Sequence, residues 1–167
     1  GLISVVPVAL ADYNRRHPEA RLTTEALRDP RVNVRVAADT LRTIIASYRQ
    51  HHPDVRNLRE DWRNPEFVAL LTAGWNAGYS ERGGVGRVVR HLQARPVNAP
   101  GADDLTVEAV FAAAASAGAS RHLCNPARLA FARWIASPRH PLVAARQDLL
   151  IDRCLHLRAV RRGVGLL

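Results

Sequence analysis

Residues Asn64 to Ala77, "NPEFVALLTAGWNA", restrict the possible folds of this chain more than any other stretch. Asn caps a helix, and Pro at the first helical position loses no useful hydrogen bond. The following Glu66 sits at the positive end of the helix dipole. From Phe67 to Trp75 every residue except Thr72 is apolar or small. The pattern predicts a helix over Pro65 to Asn76 that is apolar all round, and such a helix must be enclosed by other elements. Gly74 inside it costs about 1 kcal/mol against Ala. A backbone or ligand passing close would offset that cost.

The rest of the chain offers helices to build the enclosure. Leu2 to Asn14 reads as a helix entered through Pro7. Thr24 to Arg28 reads as one short helical turn, closed by Asp29-Pro30, with Asp29 as a cap. From Asn33 to Gln50, Val34, Ala37, Leu41, Ile44 or Ile45, and Tyr48 recur three or four apart on one face, while Arg35, Asp39, Arg42 and Arg49 take other positions. His52-Pro53 ends that run, because a residue before Pro is pushed out of the helical region. A loop from Ala77 to Gly84 leads into a helix over Val85 to Gln93. Thr106 starts an Ala-rich helix to Ala117, stopped at Gly118. Asn125-Pro126 repeats the Asn-Pro start for a helix through Ile135. An amphipathic helix follows from about Leu142 to Val160. Strand signals are short and weak, so the expected class is all-α. The Pro/Gly-containing connection 94–104 divides the expected organisation into 1–93, a linker, and a helical extension 105–167.

All 24 basic residues are Arg and the formal charge is +9. That balance favours an anionic partner: nucleic acid, anionic lipid or an acidic polysaccharide. High-Arg codon usage with a solvated surface is the plainer explanation. The Arg are spread along the chain, aromatics are few, and no groove-reading motif is present, which argues against nucleic acid. A hydrophobic fraction of 47% excludes wholesale disorder. No apolar run is long enough for a membrane span. The chain begins at Gly1 and has no Met, as expected of a piece of a longer protein. Cys124 and Cys154 suit either one disulfide in an exported chain or two buried thiols, with buried thiols the preferred reading. Neither they nor the seven His have metal-ligand spacing, so no metal or cofactor is expected.

Three segments, in order, resemble the lysozyme-like fold of soluble lytic transglycosylases and goose-type lysozymes. "GLISVVP" at Gly1 to Pro7 resembles that group's Gly-Leu-Met-Gln followed by a short apolar step. "DPRVNVRVAADTL" at Asp29 to Leu41 is similar to its Asp-Pro-x-x-Asn-Ile stretch. "AGWNAG" at Ala73 to Gly78 resembles Ala-Tyr-Asn-Ala-Gly, and "GGVGRVVRHL" resembles the Gly-x-Val continuation. The resemblance covers Gly1 to about Leu92. It implies a peptidoglycan-cleaving glycosidase acting on the β-1,4 bond between N-acetylmuramic acid and N-acetylglucosamine, in the cell wall or periplasm or exported, for wall turnover or as an antibacterial toxin effector. The implied partner is the peptidoglycan glycan strand. The implied general acid is one Glu whose pKa is raised by burial. In the group that Glu precedes the Gly-Leu-Met-Gln motif, so it is expected in a segment upstream of Gly1. Non-catalytic wall binding, or a basic helical module for nucleic acid or protein, are the competing expectations.

By position in these motifs, Ser4, Trp75, Asn76, Gly78 and Tyr79 are the candidate substrate-binding residues. Ser4 stands where the group has Gln, and Trp75 where it has Tyr. Asn76 and Gly78 fit a helix C-terminus as well as a sugar contact. Trp75 fits core packing better than stacking on a sugar, while Tyr79, beyond the helix, is better placed for sugar. Glu81 is the carboxylate of the glycine-containing loop, expected either as a catalytic auxiliary or as a solvated charge beside Arg82. Trp62 and Trp134 are expected to anchor helix packing.

Overall fold

The computed structural model describes residues 3–94 and 105–137. Among them the chain is all-α: six α-helices joined by loops and short 3-10 turns, with no strand. They are α1 (Pro7–Arg16), α2 (Pro30–His51), α3 (Pro65–Ala77), α4 (Val85–Gln93), α5 (Val107–Ala113) and α6 (Pro126–Ala136). The expected helix over Leu142 to Val160 lies outside the described residues, as does most of the 94–104 connection. None of the described helices is long and apolar enough to cross a membrane.

The chain forms two compact units, Gly1–Ala46 and Ser47–Leu167, and the division falls inside α2. This differs from a division at 94–104. α5 and α6, which follow that connection, pack against α3, which precedes it. An all-apolar α3 has to be enclosed on every side, so the elements beyond the connection belong to its unit.

In the first unit, Leu10, Tyr13, Leu27 and Val36 form the core, with Val5, Ala20, Leu22 and Val32 packed against it. Two asparagines each hold the backbone of one non-helical residue. Asn14 donates to the Leu22 carbonyl at 2.7 Å and accepts from the Leu22 N–H at 2.9 Å. Asn33 accepts from the Ile3 N–H at 2.9 Å and donates to the Ile3 carbonyl at 3.1 Å. Each amide thus serves both polar groups of one residue, as a neighbouring strand would. Asp29 caps α2, its carboxylate accepting from the Arg31 N–H at 2.7 Å. The buried face of α2 runs through Asn33, Val36, Ala37, Ile44 and Tyr48, while Val34, Leu41 and Ile45 are half-buried on its flanks. The predicted face is rotated because a satisfied polar residue, Asn33, occupies the centre of the true one.

In the second unit, Phe67 to Leu71 of α3 are all buried. Burying each large apolar side chain contributes roughly 1.5–3 kcal/mol. Asn64 caps α3 by accepting from the Glu66 N–H at 2.9 Å. Arg133 of α6 binds Glu66 at 2.5 Å and makes a bidentate pair with Glu108 of α5, tying three helices together. Tyr48 is fully buried and its hydroxyl donates to the Leu70 carbonyl at 3.2 Å. Trp62 packs edge-on against Phe67, as an anchor should. Trp134 departs from that expectation: it is 45% exposed and stacks on Phe131, itself 44% exposed, because the inward face of α6 is carried by Ala132 and Ala136. Cys124 departs as well: it is a free thiol at the exposed end of a 3-10 turn, not a buried one. Cys154 lies outside the described residues.

Candidate functional site

The end of α3 and the loop after it gather four of the five motif-derived residues. α3 stops at Ala77, and Gly78 turns the chain at φ +93°, a backbone conformation that residues with a Cβ rarely adopt. Trp75, Asn76 and Tyr79 are half-buried and Gly78 is exposed. The side chain of Asn76 donates back to the Thr72 carbonyl at 3.0 Å, one helical turn earlier. Its backbone carbonyl accepts from Arg128 of α6 at 2.6 Å. Trp75 is half-buried, so most of its surface is covered by neighbouring groups and a part is open to solvent. Ser4, the fifth residue, is exposed in the first unit, beside the Ile3 backbone that Asn33 holds. The first and second motif segments therefore meet, through Asn33 and Ile3.

The glycines of the loop allow backbone to lie directly on backbone. A Cβ at Gly84 would collide with the Gly78 carbonyl and come within 2.6 Å of the Tyr79 nitrogen. That approach lets carbonyls from the loop close the start of α4. Val85 N–H donates to Gly78 at 2.9 Å, Gly86 N–H to Tyr79 at 3.1 Å, and Arg87 N–H to Ser80 at 3.3 Å. Free N–H groups at a helix start would attract an anion, but these are already used.

Side chains then fix the outer part of the loop. Glu81 does not pair with Arg82. One of its oxygens lies 2.7 Å from Nε2 of His52, and the other accepts from Arg90 at 3.0 Å. Arg90 also donates to the Glu81 carbonyl at 3.1 Å. The turn folds back over α4, which brings Glu81 to Arg90 and leaves Arg82 pointing to solvent. His52 is 3% exposed, and its Nδ1 lies 3.3 Å from the Gln93 side-chain oxygen. The His52–Glu81 contact is an ion-pair approach without the alignment of a directed hydrogen bond. Arg87 donates to the Ala117 carbonyl at 2.6 Å and to Arg82 at 3.1 Å, and the Ser120 N–H donates to Gly83 at 2.8 Å.

A carboxylate held this way is a brace for the loop. Arg90 bonds one Glu81 oxygen and the other lies against the buried His52 ring. Sequence reasoning missed His52, Arg90 and Arg128, which do the holding. No linear spacing links His52 to Glu81. The available signal was a His before Pro at the end of a long helix. Among the described residues, no group of three or more His, Cys, Asp or Glu converges as a metal site would require.

Neither a family model, nor a curated protein, nor a solved structure matches this chain.

Proposed function

We propose that this chain is part of a peptidoglycan-cleaving glycosidase of the lytic transglycosylase or muramidase type. Its bond would be the β-1,4 link from N-acetylmuramic acid to N-acetylglucosamine. The observation that carries the reading is the ordered run of "GLISVVP", "DPRVN" and "AGWNAG" continuing into "GGVG". The residues those segments share with the group have specific work in each unit. Asn33 holds the backbone of the first segment, and Gly78 and Gly84 bring the third segment onto its continuation. The net charge of +9 supports an anionic polymer as partner.

The chain's own contribution in this reading is to present Trp75, at the end of α3, and Tyr79, on the loop that α4 bonds through its backbone, to the sugar rings. Asn76 shapes the helix end behind them. The proton donor would be the Glu that precedes the Gly1 to Pro7 motif in the parent protein, acting as a general acid in a partly desolvated cleft. The product then depends on what reaches the sugar after the bond breaks. Attack by its own 6-hydroxyl gives a 1,6-anhydro end, and water gives a reducing end.

A purified, folded parent protein is expected to clear a peptidoglycan zymogram, and mass spectrometry of the released fragments to show one of those two ends. No clearing would count against a glycosidase. A parent without a Glu just before the motif, yet binding the wall, would mark a non-catalytic binder.

A further inference from the structure

Arg31, Arg35 and Arg42 are exposed residues of α2 in the first unit. At 3.6 residues per turn they fall within about 40° of one another around the helix. At 1.5 Å per residue they stand about 6 Å and about 10.5 Å apart along it. Ala38 lies on the same side between Arg35 and Arg42, so no large side chain interrupts the row. Among the described residues none of these three guanidinium groups has an ion-pair or hydrogen-bond partner, whereas Arg15, Arg16 and Arg28 of the same unit each have a carboxylate. Asp39 is one turn from Arg35, where an acid would normally pair with it. Its oxygens are directed elsewhere: one accepts from Arg16 at 2.6 Å and the other lies 3.3 Å from His17. Arg31 and Arg35, four residues apart, repel each other, so the row does not stabilise α2.

We propose that Arg31, Arg35 and Arg42 form a docking strip for the carboxylates of the peptide stems that peptidoglycan carries along its glycan strands. The proposal rests on the wall-glycan reading above. Charge complementarity selects an anionic polymer, and the planar guanidinium suits a carboxylate because it can bond both oxygens at once. Nucleic acid fits less well. A single-stranded ligand needs aromatic faces beside the cations, and the aromatic residue of α2, Tyr48, is fully buried. The strip would anchor a strand by its stems.

The test is sedimentation of the whole chain with insoluble peptidoglycan stripped of wall phosphopolymers, at low and at near-physiological salt. The triple variant R31Q/R35Q/R42Q is expected to bind about tenfold more weakly at low salt, the sum of three exposed charge contacts, and to show a flatter salt dependence. R31K/R35K/R42K, which keeps the charge but cannot bond both carboxylate oxygens at once, should recover only part of the loss. R21Q/R56Q/R63Q removes the same net charge at other exposed positions and is expected to bind like the parent; thermal melts confirm folding of all variants. Equal loss in both Gln triples would overturn the strip and leave only net charge. Wall binding unchanged in R31Q/R35Q/R42Q would overturn the strip while the wall-glycan reading stands. Absence of wall binding by the unsubstituted chain would overturn both. So would salt-steep DNA binding that needs these three Arg, without wall binding.

Discussion

At the scale of single residues, two asparagines show how a polar side chain can be a core residue. Asn33 is 1% exposed, which would be costly for an unpaired amide, yet its oxygen and nitrogen are matched to one N–H and one carbonyl of Ile3. Replacing it by Ala removes two hydrogen bonds and leaves two part-buried backbone groups without partners. Asn33→Ala is expected to lower stability by about 2–3 kcal/mol, read as a shift in the urea midpoint at unchanged slope. Asn33→Asp should also destabilise, because a carboxylate cannot donate to the Ile3 carbonyl. A loss under about 0.5 kcal/mol for the Ala variant would mean that the Ile3 segment is held by packing alone, since one hydrogen bond typically exceeds that. Asn33 was visible in the sequence as a position in a resembling segment. Its partner was not, because nothing in a linear pattern shows which backbone a side-chain amide will meet 30 residues away.

At the scale of elements, the loop between α3 and α4 replaces side-chain packing with backbone contact. The hydrogen bonds from α4 to the carbonyls of Gly78, Tyr79 and Ser80 require the close approach at Gly84. Gly84→Ala cannot be absorbed by a rotamer change, because the atoms its Cβ would meet are backbone. A loss of about 3 kcal/mol or more is expected, at the upper end of overpacking costs, with faster amide exchange at Val85, Gly86 and Arg87. Ordinary exchange at those amides with full stability would show that the loop has room to move aside. Most helices were legible, but the one expected from Leu2 to Asn14 starts only at Pro7 and runs to Arg16, since residues 3–6 are not helical. Asn64-Pro65 and Asn125-Pro126 start α3 and α6, each Asn side chain accepting the N–H two residues on. α4 has its predicted bounds, Val85–Gln93. The Ala-rich α5 is shorter than its composition predicts: it ends at Ala113, and a turn continues to Gly118 at φ +61°. High helix propensity there could not reveal where helix gives way to turn, since Ala114 and Ala117 stay buried beyond the helix end. The brace on Glu81 was illegible for a related reason. A loop carboxylate next to Arg82 in sequence pairs with the groups the fold brings over it, His52 and Arg90.

At the scale of the whole molecule, an excess of Arg over carboxylates makes each carboxylate a scarce partner, and the fold uses several as junctions. In the first unit, Asp39 receives Arg16 and His17. Burial alone would raise its pKa, but the hydrogen bonds and charges of Arg16 and His17 outweigh burial and hold it below the usual value. In the second unit, the bidentate bond from Arg133 is the largest influence on Glu108 and holds its carboxyl low despite partial burial. Both groups have folded-state pKa values depressed below their unfolded ones. Their stabilisation is therefore fully present above the unfolded range, about 4 for these side chains. It is lost as pH falls through the lower folded values. Through these two groups the melting temperature is expected to drop steeply below about pH 4. Arg133→Gln separates the junction from the general acid response. At neutral pH it should cost roughly 1–2 kcal/mol, a modest figure because Glu108 is half exposed and screened by solvent. Below about pH 4 the difference between variant and parent should shrink, since the protonated carboxyls no longer reward the guanidinium. Parallel melting curves for the two proteins across the whole pH range would place the acid sensitivity elsewhere. They would leave Arg133 as a packing residue between α3, α5 and α6.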